Sequence, residues 1–218
     1  PPPTVDSGLV NSMRLLNKKD SVTRSKFLQS FNSSILPSHS EDVVIALLPH
    51  FVQYYVRGAL LDPDWKCRLL FHKSLGLIYS KVGRAIEPHL PSLYPVLLVG
   101  MFEESEVSLS ARETLELVFP NEERRHRALL FFLDKVLEFV VSNFDASPNT
   151  LSKKFRESDS DESFEVLDRW NRVESASIRL IEFVSRTLGW ESVMGTNPFR
   201  FLTDPEVSSP VLLTAIQF

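Results

Sequence analysis

A chain of 218 residues that is 43% apolar, with net charge −4, has material for a continuous core and is too nearly neutral to attract polyanions over its whole surface. A single cysteine, Cys67, excludes an internal disulfide framework and a four-cysteine zinc site, and points to a reducing compartment. Sixteen Phe against seven Gly, with β-branched residues scattered rather than alternating, favour helices over sheets; Arg, Lys or Asp interrupts each apolar run before the roughly 20 residues of a bilayer span, so a soluble protein is expected.

The opening Pro1-Pro2-Pro3 lacks the basic and apolar regions of a secretion signal, so residues 1–8 read as a disordered leader or as a start inside a longer protein. Leu9, Val10, Met13 and Leu16 predict a short helix. Asp20 caps a second, which runs to about Leu36 and carries Phe27, Leu28, Phe31 and Ile35 inward. After the Pro37-Ser38-His39-Ser40 loop, with Ser40 as N-cap, Val43 to Val82 reads as two antiparallel helices around Leu61-Asp62-Pro63-Asp64. Asp62 suits an N-cap there and Pro63 the first helical position, while Pro49 predicts a bend in the first of the two helices. In the second, Cys67, Phe71, Ser74, Leu75, Ile78 and Val82 form one stripe; Lys66, Lys73, Lys81 and Arg84 lie on the other side, as a cationic ridge or an ordinary solvated face.

One such hairpin cannot bury its own apolar face, and the pattern recurs. Superposing the segments that begin at Asp20, Asp64 and Glu106 aligns Phe31, Leu75 and Leu117, with shifts of about 44 and 42 residues, inside the roughly 40–47 of HEAT-type repeats. The expected fold is all-α: a HEAT/ARM-like α-solenoid of stacked antiparallel helix pairs. A helix over Glu87 to Met101 and its partner from Ser105 to Phe119-Pro120 continue the stack. Asn121-Glu122-Glu123 starts a helix to Phe144 that is apolar around most of its circumference, and so is expected to be covered on two sides. The repeats thus occupy 9–144. Residues 145–163, polar and charged, read as a mobile loop whose serines among acids suit an acid-directed kinase or simply a solvated linker. Residues 164–218 read as further solenoid helices, truncated at their end: a long one to Leu188 stopped by Gly189, a short turn to Met194, and a last helix from Pro210.

No Gly-rich phosphate loop, His-x-x-x-His pair or nucleophile elbow occurs, and His39, His50, His72, His89 and His126 are spaced too irregularly for a metal site. Cys67 falls on a buried stripe, the setting of an inert thiol. What remains is binding. Lys18, Lys19, Arg24 and Lys26 crowd the Asp20 turn, where Thr23 and its neighbours add hydrogen-bonding groups; together with the outlying Lys66 and Lys73 they are the candidate contacts to a partner's phosphates or carboxylates. Arg124, Arg125 and Arg127 form a second cluster beside Glu122 and Glu123.

The segment from Leu15 to Leu28 resembles the opening of the listerin family, the ubiquitin ligases of ribosome-associated quality control. Lys19, Asp20, Thr23, Arg24, Lys26 and Leu28 fit that opening, whereas Val22 and Phe27 depart from it. The likeness continues through Leu47-Leu48-Pro49, Asp62-Pro63-Asp64 with Arg68, Glu87-Pro88-His89-Leu90 and Phe119-Pro120. It implies an N-terminal, cytoplasmic, monomeric module that docks on the large ribosomal subunit carrying a stalled peptidyl-tRNA, beside the mediator factor that binds the tRNA. It further implies that a RING, with its zinc and its ubiquitin-conjugating enzyme, sits at the far end of the parent chain, and that this segment needs no cofactor and meets no membrane. The other reading open from the residues is a generic protein-interaction scaffold or transport-receptor fragment.

Overall fold

In the computed structural model, which describes residues 7–155, 163–189 and 191–194, every regular element is helical. Helix α1 (Ser7–Met13) passes into a 3-10 turn, Arg14–Asn17, and buries Leu9, Met13 and Leu16. The Asp20 carboxylate accepts from the N–H groups of Val22 and Thr23 at 3.2 and 2.9 Å, which opens α2 (Ser21–Ser30). A π-helical turn over Phe31–Ile35 and a single turn, α3 (Leu36–Ser38), follow. Helix α4 spans Glu41–Leu61 without a break at Pro49, and α5 spans Trp65–Val82. A 3-10 stretch, Gly83–His89, leads into α6 (Leu90–Gly100), so the helix expected from Glu87 begins in a tighter winding. Then come α7 (Ser105–Val118), α8 (Glu122–Phe144), α9 (Pro148–Phe155), α10 (Ser163–Leu188) and the short α11 (Glu191–Met194).

The helices form layers. Helix α5 lies between α2 and α7, and α6 lies between α4 and α8; α4 also packs on α5, and α6 on α7. Helix α10 crosses the α4–α6–α8 layer on its far side, with α9 wedged against α4 and α10. One apolar core runs from Leu9 to Val193. Its spine is aromatic: Phe27, Phe31, Phe51, Tyr55 and Phe71 follow one another at ring-centroid spacings of 6.0, 6.0, 5.8 and 6.5 Å. The result is an all-α helical solenoid.

Several expectations need correcting. Asp62 does not cap α5: its side chain turns inward, and Asp64 takes the cap, accepting from the Lys66 N–H at 2.9 Å. A carboxylate that meets a buried guanidinium is held more strongly there than by an exposed N–H. Ser40 stands at the start of α4, but its hydroxyl makes no cap bond. Helix α8 leaves Leu130 and Phe131 exposed, and α6 is instead the helix covered on both sides, with every residue from Leu93 to Gly100 buried. Residues Pro148–Phe155, expected within a loop, are helical, because Leu151 finds an apolar seat beside α4. The rest of the acidic serine run, 156–162, and the expected last helix from Pro210 lie outside the described residues.

By length and composition α4 is apolar enough to cross a membrane, contrary to the reading that no run reaches that length. Its apolar surface is accounted for by the core, where Val44, Leu47, Leu48, Phe51, Tyr55 and Ala59 are buried. Helices α4 and α5 are in tight contact at Gly58, where a Cβ would lie 2.1 Å from the Phe71 ring. Gly58→Ala is therefore expected to cost about 1–3 kcal/mol, read as a lower urea midpoint at unchanged slope. An unchanged midpoint would show that Phe71 can swing aside freely.

Candidate functional site along the corner ridge

Three inter-helix corners, at Lys18–Asp20, Asp62–Asp64 and Glu103–Glu104, are tied in succession by buried arginines. Arg24, on α2, donates from Nε and Nη2 to the Asp62 carboxylate at 2.7 and 2.6 Å, and from Nη1 to the carbonyls of Lys18 and Lys19 at 2.8 and 2.7 Å. Arg68, on α5, repeats this one corner later: Nε donates to Glu103 at 2.7 Å and Nη1 to the carbonyls of Asp62 and Pro63 at 2.7 and 3.2 Å. In each case the carbonyls belong to the residues six and five positions before the arginine. Forked guanidiniums suit this task, satisfying turn carbonyls and a carboxylate at once.

Helix α10 joins the network from the other side. Arg172 donates to Glu103 and to the Leu60 carbonyl, both at 2.9 Å, and Arg169 donates to the Leu61 carbonyl at 2.8 Å. The last carbonyls of α4, which have no acceptor role left within their own helix, are satisfied in this way. Burial lowers the Arg172 guanidinium below its ordinary value, with Glu103 opposing the shift. For Arg24 the burial penalty is more than offset by its bonds to Asp62, and its pKa is raised.

The predicted contact residues divide accordingly. Lys18, Lys19 and Lys26 are exposed near the first corner; Lys66 and Lys73 are exposed on α5, with the Lys66 ammonium 5.7 Å from the centre of the Trp65 ring. Arg24 is a correction: at 1% exposure it cannot reach a partner, and its charge is already met by Asp62. Asp20 and Thr23 shape the turn, since the Thr23 hydroxyl and backbone N–H both bond to the Asp20 carboxylate, the former at 2.7 Å. Those bonds, the hydroxyl's first, hold the Asp20 carboxyl below its ordinary value. Lys73 stands apart from the corner, against Glu113 and Leu117 on the α7 side of α5. Arg57, not singled out from the sequence, bonds to Asn17 and adds a cation beside the first corner.

The remaining reactive types are in structural settings. Burial first, and then the charge of Asp62, push the Cys67 thiol up to about 12, so it is not a nucleophile at neutral pH. His72 is fully enclosed, with Nδ1 2.9 Å from the Tyr55 hydroxyl. Among the described residues no grouping of His, Cys, Asp and Glu is arranged to hold a metal ion.

In class, a helical stack with ion-paired corners and an exposed lysine cluster at one end is an all-α solenoid. The family is shown by comparison: the model for the N-terminal domain of E3 ubiquitin-protein ligase listerin matches residues 5–196, and the chain belongs to that family. It is 28% identical to E3 ubiquitin-protein ligase listerin of Gallus gallus over 150 residues, which cover 68% of this chain and 8% of the relative. It is 26% identical to the Drosophila melanogaster protein of the same name over 176 residues, 78% of this chain and 10% of the relative. The chain therefore spans a tenth or less of the curated relatives it matches. No solved structure matches it.

Proposed function

We propose that this chain is the ribosome-docking N-terminal module of a listerin-like E3 ubiquitin ligase. It engages large subunits that carry a stalled peptidyl-tRNA in the cytoplasm, as a monomer, beside the tRNA-binding mediator factor. Ubiquitin transfer, with its zinc and its ubiquitin-conjugating enzyme, belongs to a RING elsewhere in the parent chain. Family membership supports the ligase part of this reading. The observation that carries the docking part is the exposure of Lys18, Lys19 and Lys26 around a turn whose carbonyls Arg24 clamps and whose helix start Asp20 caps. Cations on a rigid turn lose little entropy when they meet phosphates.

Replacing Lys18, Lys19 and Lys26 together by Glu is expected to leave helicity unchanged and to reduce co-sedimentation with purified large subunits at least tenfold at moderate salt. If the three lysines meet phosphates, changing them to Ala lowers the slope of log affinity against log salt by about 2–3. Pelleting that is undiminished in the triple-Glu chain, or insensitive to salt and nuclease, would overturn the reading in favour of an apolar protein contact.

A further inference from the structure

At the ends of α5 and α7 away from the corner ridge lies a second feature, separate from the lysine corner. Between the loop that joins α5 to α6 and the first turns of α8 lies a groove of about 800 Å³. Its floor is apolar, formed by Ile86, Leu90, Phe119 and Phe132. Three arginines stand on its rim, Arg84, Arg124 and Arg127, with one lining carboxylate, Glu87. Against the three arginines stand Glu87 and the Glu123 that pairs with Arg127, which leaves the rim one cation in excess on a chain of net charge −4. Phe131, at 81% exposure, projects at the same rim and touches Phe132 edge-on with ring centroids 4.9 Å apart.

We infer that this groove is a docking site for an acidic protein segment that inserts a bulky apolar side chain between the arginines. Each part of the arrangement matches one part of such a ligand. The floor offers an anchor side chain a place out of water, and an exposed aromatic flanked by arginines is the composition that dominates protein-binding energetics. The guanidiniums are forked donors suited to carboxylates. Two of them are held by exposed pairs that exchange easily: Arg84 with Glu87 at 2.8 Å and Arg127 with Glu123 at 2.9 Å. Arg124 has no acidic side chain paired with it among the described residues. Its backbone N–H is bonded to the Asn121 cap, which fixes the start of α8 while leaving the side chain exposed.

Charge and floor together favour a peptide over RNA. The floor side chains Ile86, Leu90, Phe119 and Phe132 carry no donors or acceptors for base edges, and Glu87 at the groove repels a continuous phosphate backbone; base stacking on Phe131 is the competing mode that the oligo-uridine measurement reads. A peptide carboxylate can be set against Arg124 and Arg127, away from Glu87. The groove shares no residue with the ribosome reading, because its lining runs from Tyr79 to Phe132 on α5 to α8, whereas Lys18, Lys19 and Lys26 stand before and on α2.

The probe is a displayed library of random 12-residue peptides selected on the 218-residue chain. The best peptide is then measured by fluorescence anisotropy beside a 12-nucleotide oligo-uridine. Selection is expected to yield peptides with two or more Asp or Glu flanking Leu, Phe or Trp. Arg124→Glu with Arg127→Glu should weaken the best peptide at least tenfold, and Phe131→Ala at least fivefold, while Lys18→Ala with Lys19→Ala leaves it unmoved. The substituted side chains are exposed, and unchanged circular dichroism checks the fold. Selected peptides without acidic residues, an affinity unmoved by both groove variants, or oligo-uridine binding that the arginine pair controls would overturn the assignment.

Discussion

Asp62→Ala is expected to lower the unfolding free energy by about 3–5 kcal/mol, the cost of leaving a buried guanidinium without its counter-ion. Arg24 and Asp62 are each 1% exposed at the side chain, so water cannot take the place of the lost carboxylate. The same carboxylate also accepts from the Asp64 N–H at 3.0 Å, so the turn into α5 loosens too. Urea unfolding followed by circular dichroism measures the loss. The informative partner is Arg24→Met with Asp62→Leu, which removes both charges and fills the space; it should recover most of the stability, as buried pairs replaced by apolar side chains commonly do. A double variant as unstable as the single one would mean that the corner carbonyls of Lys18 and Lys19, rather than the charge, carry the cost. If the recovered double variant still pellets poorly with large subunits, the clamp serves the geometry of the lysine corner and not merely the fold.

The second large effect is acid destabilisation through His72. Burial, and after it the charge of Arg68, hold this imidazole far below its ordinary value of 6.5, at about 3. Between those two values the unfolded chain carries a proton on His72 that the folded chain does not, so stability is lost as pH falls below about 6.5. Near pH 4.5 the expected loss from this one group is about 2–3 kcal/mol relative to neutral pH. Its Nε2 has no hydrogen-bond partner in its enclosure, and the closeness of Gly100, where a Cβ would lie 2.5 Å from that atom, leaves little room for water to solvate a charge. His72→Gln should lower stability at neutral pH and yet flatten the drop between pH 7 and about 4.5 by roughly the same amount. Equal acid losses in both chains would assign the drop to other groups.

Much of the architecture is legible in the residues taken alone. Apolar spacing at 3–4 residues identifies α1, α2, α4, α5, α7, α8 and α10, because a helix that packs on one side must carry its apolar side chains on that side. Local hydrogen-bonding chemistry likewise marks the helix ends at Asp20, Asn121 and Gly189, the last with the positive φ of 90° that glycine tolerates. The family resemblance, too, rests on residues near these corners. Periodicity failed where an element is enclosed from several directions or displays an apolar residue outward, as α6 and α8 do.

What the tertiary structure alone decided is where each charge goes. From composition, Arg24 is one more cation in a surface cluster and Asp62 a helix cap; in the fold they are a buried pair 38 positions apart. Glu103, Arg169 and Arg172 join the same interior network across separations that no local pattern encodes. The physical reason is the reach of the forces. Helix formation and capping are settled within one or two turns of chain, whereas the partner of a buried charge is settled by which segments the closing core brings together. The sequence by itself therefore specifies most of the helices and several of their ends, and the folded stack determines that Lys18, Lys19 and Lys26 remain exposed while Arg24 is drawn inside to hold their corner.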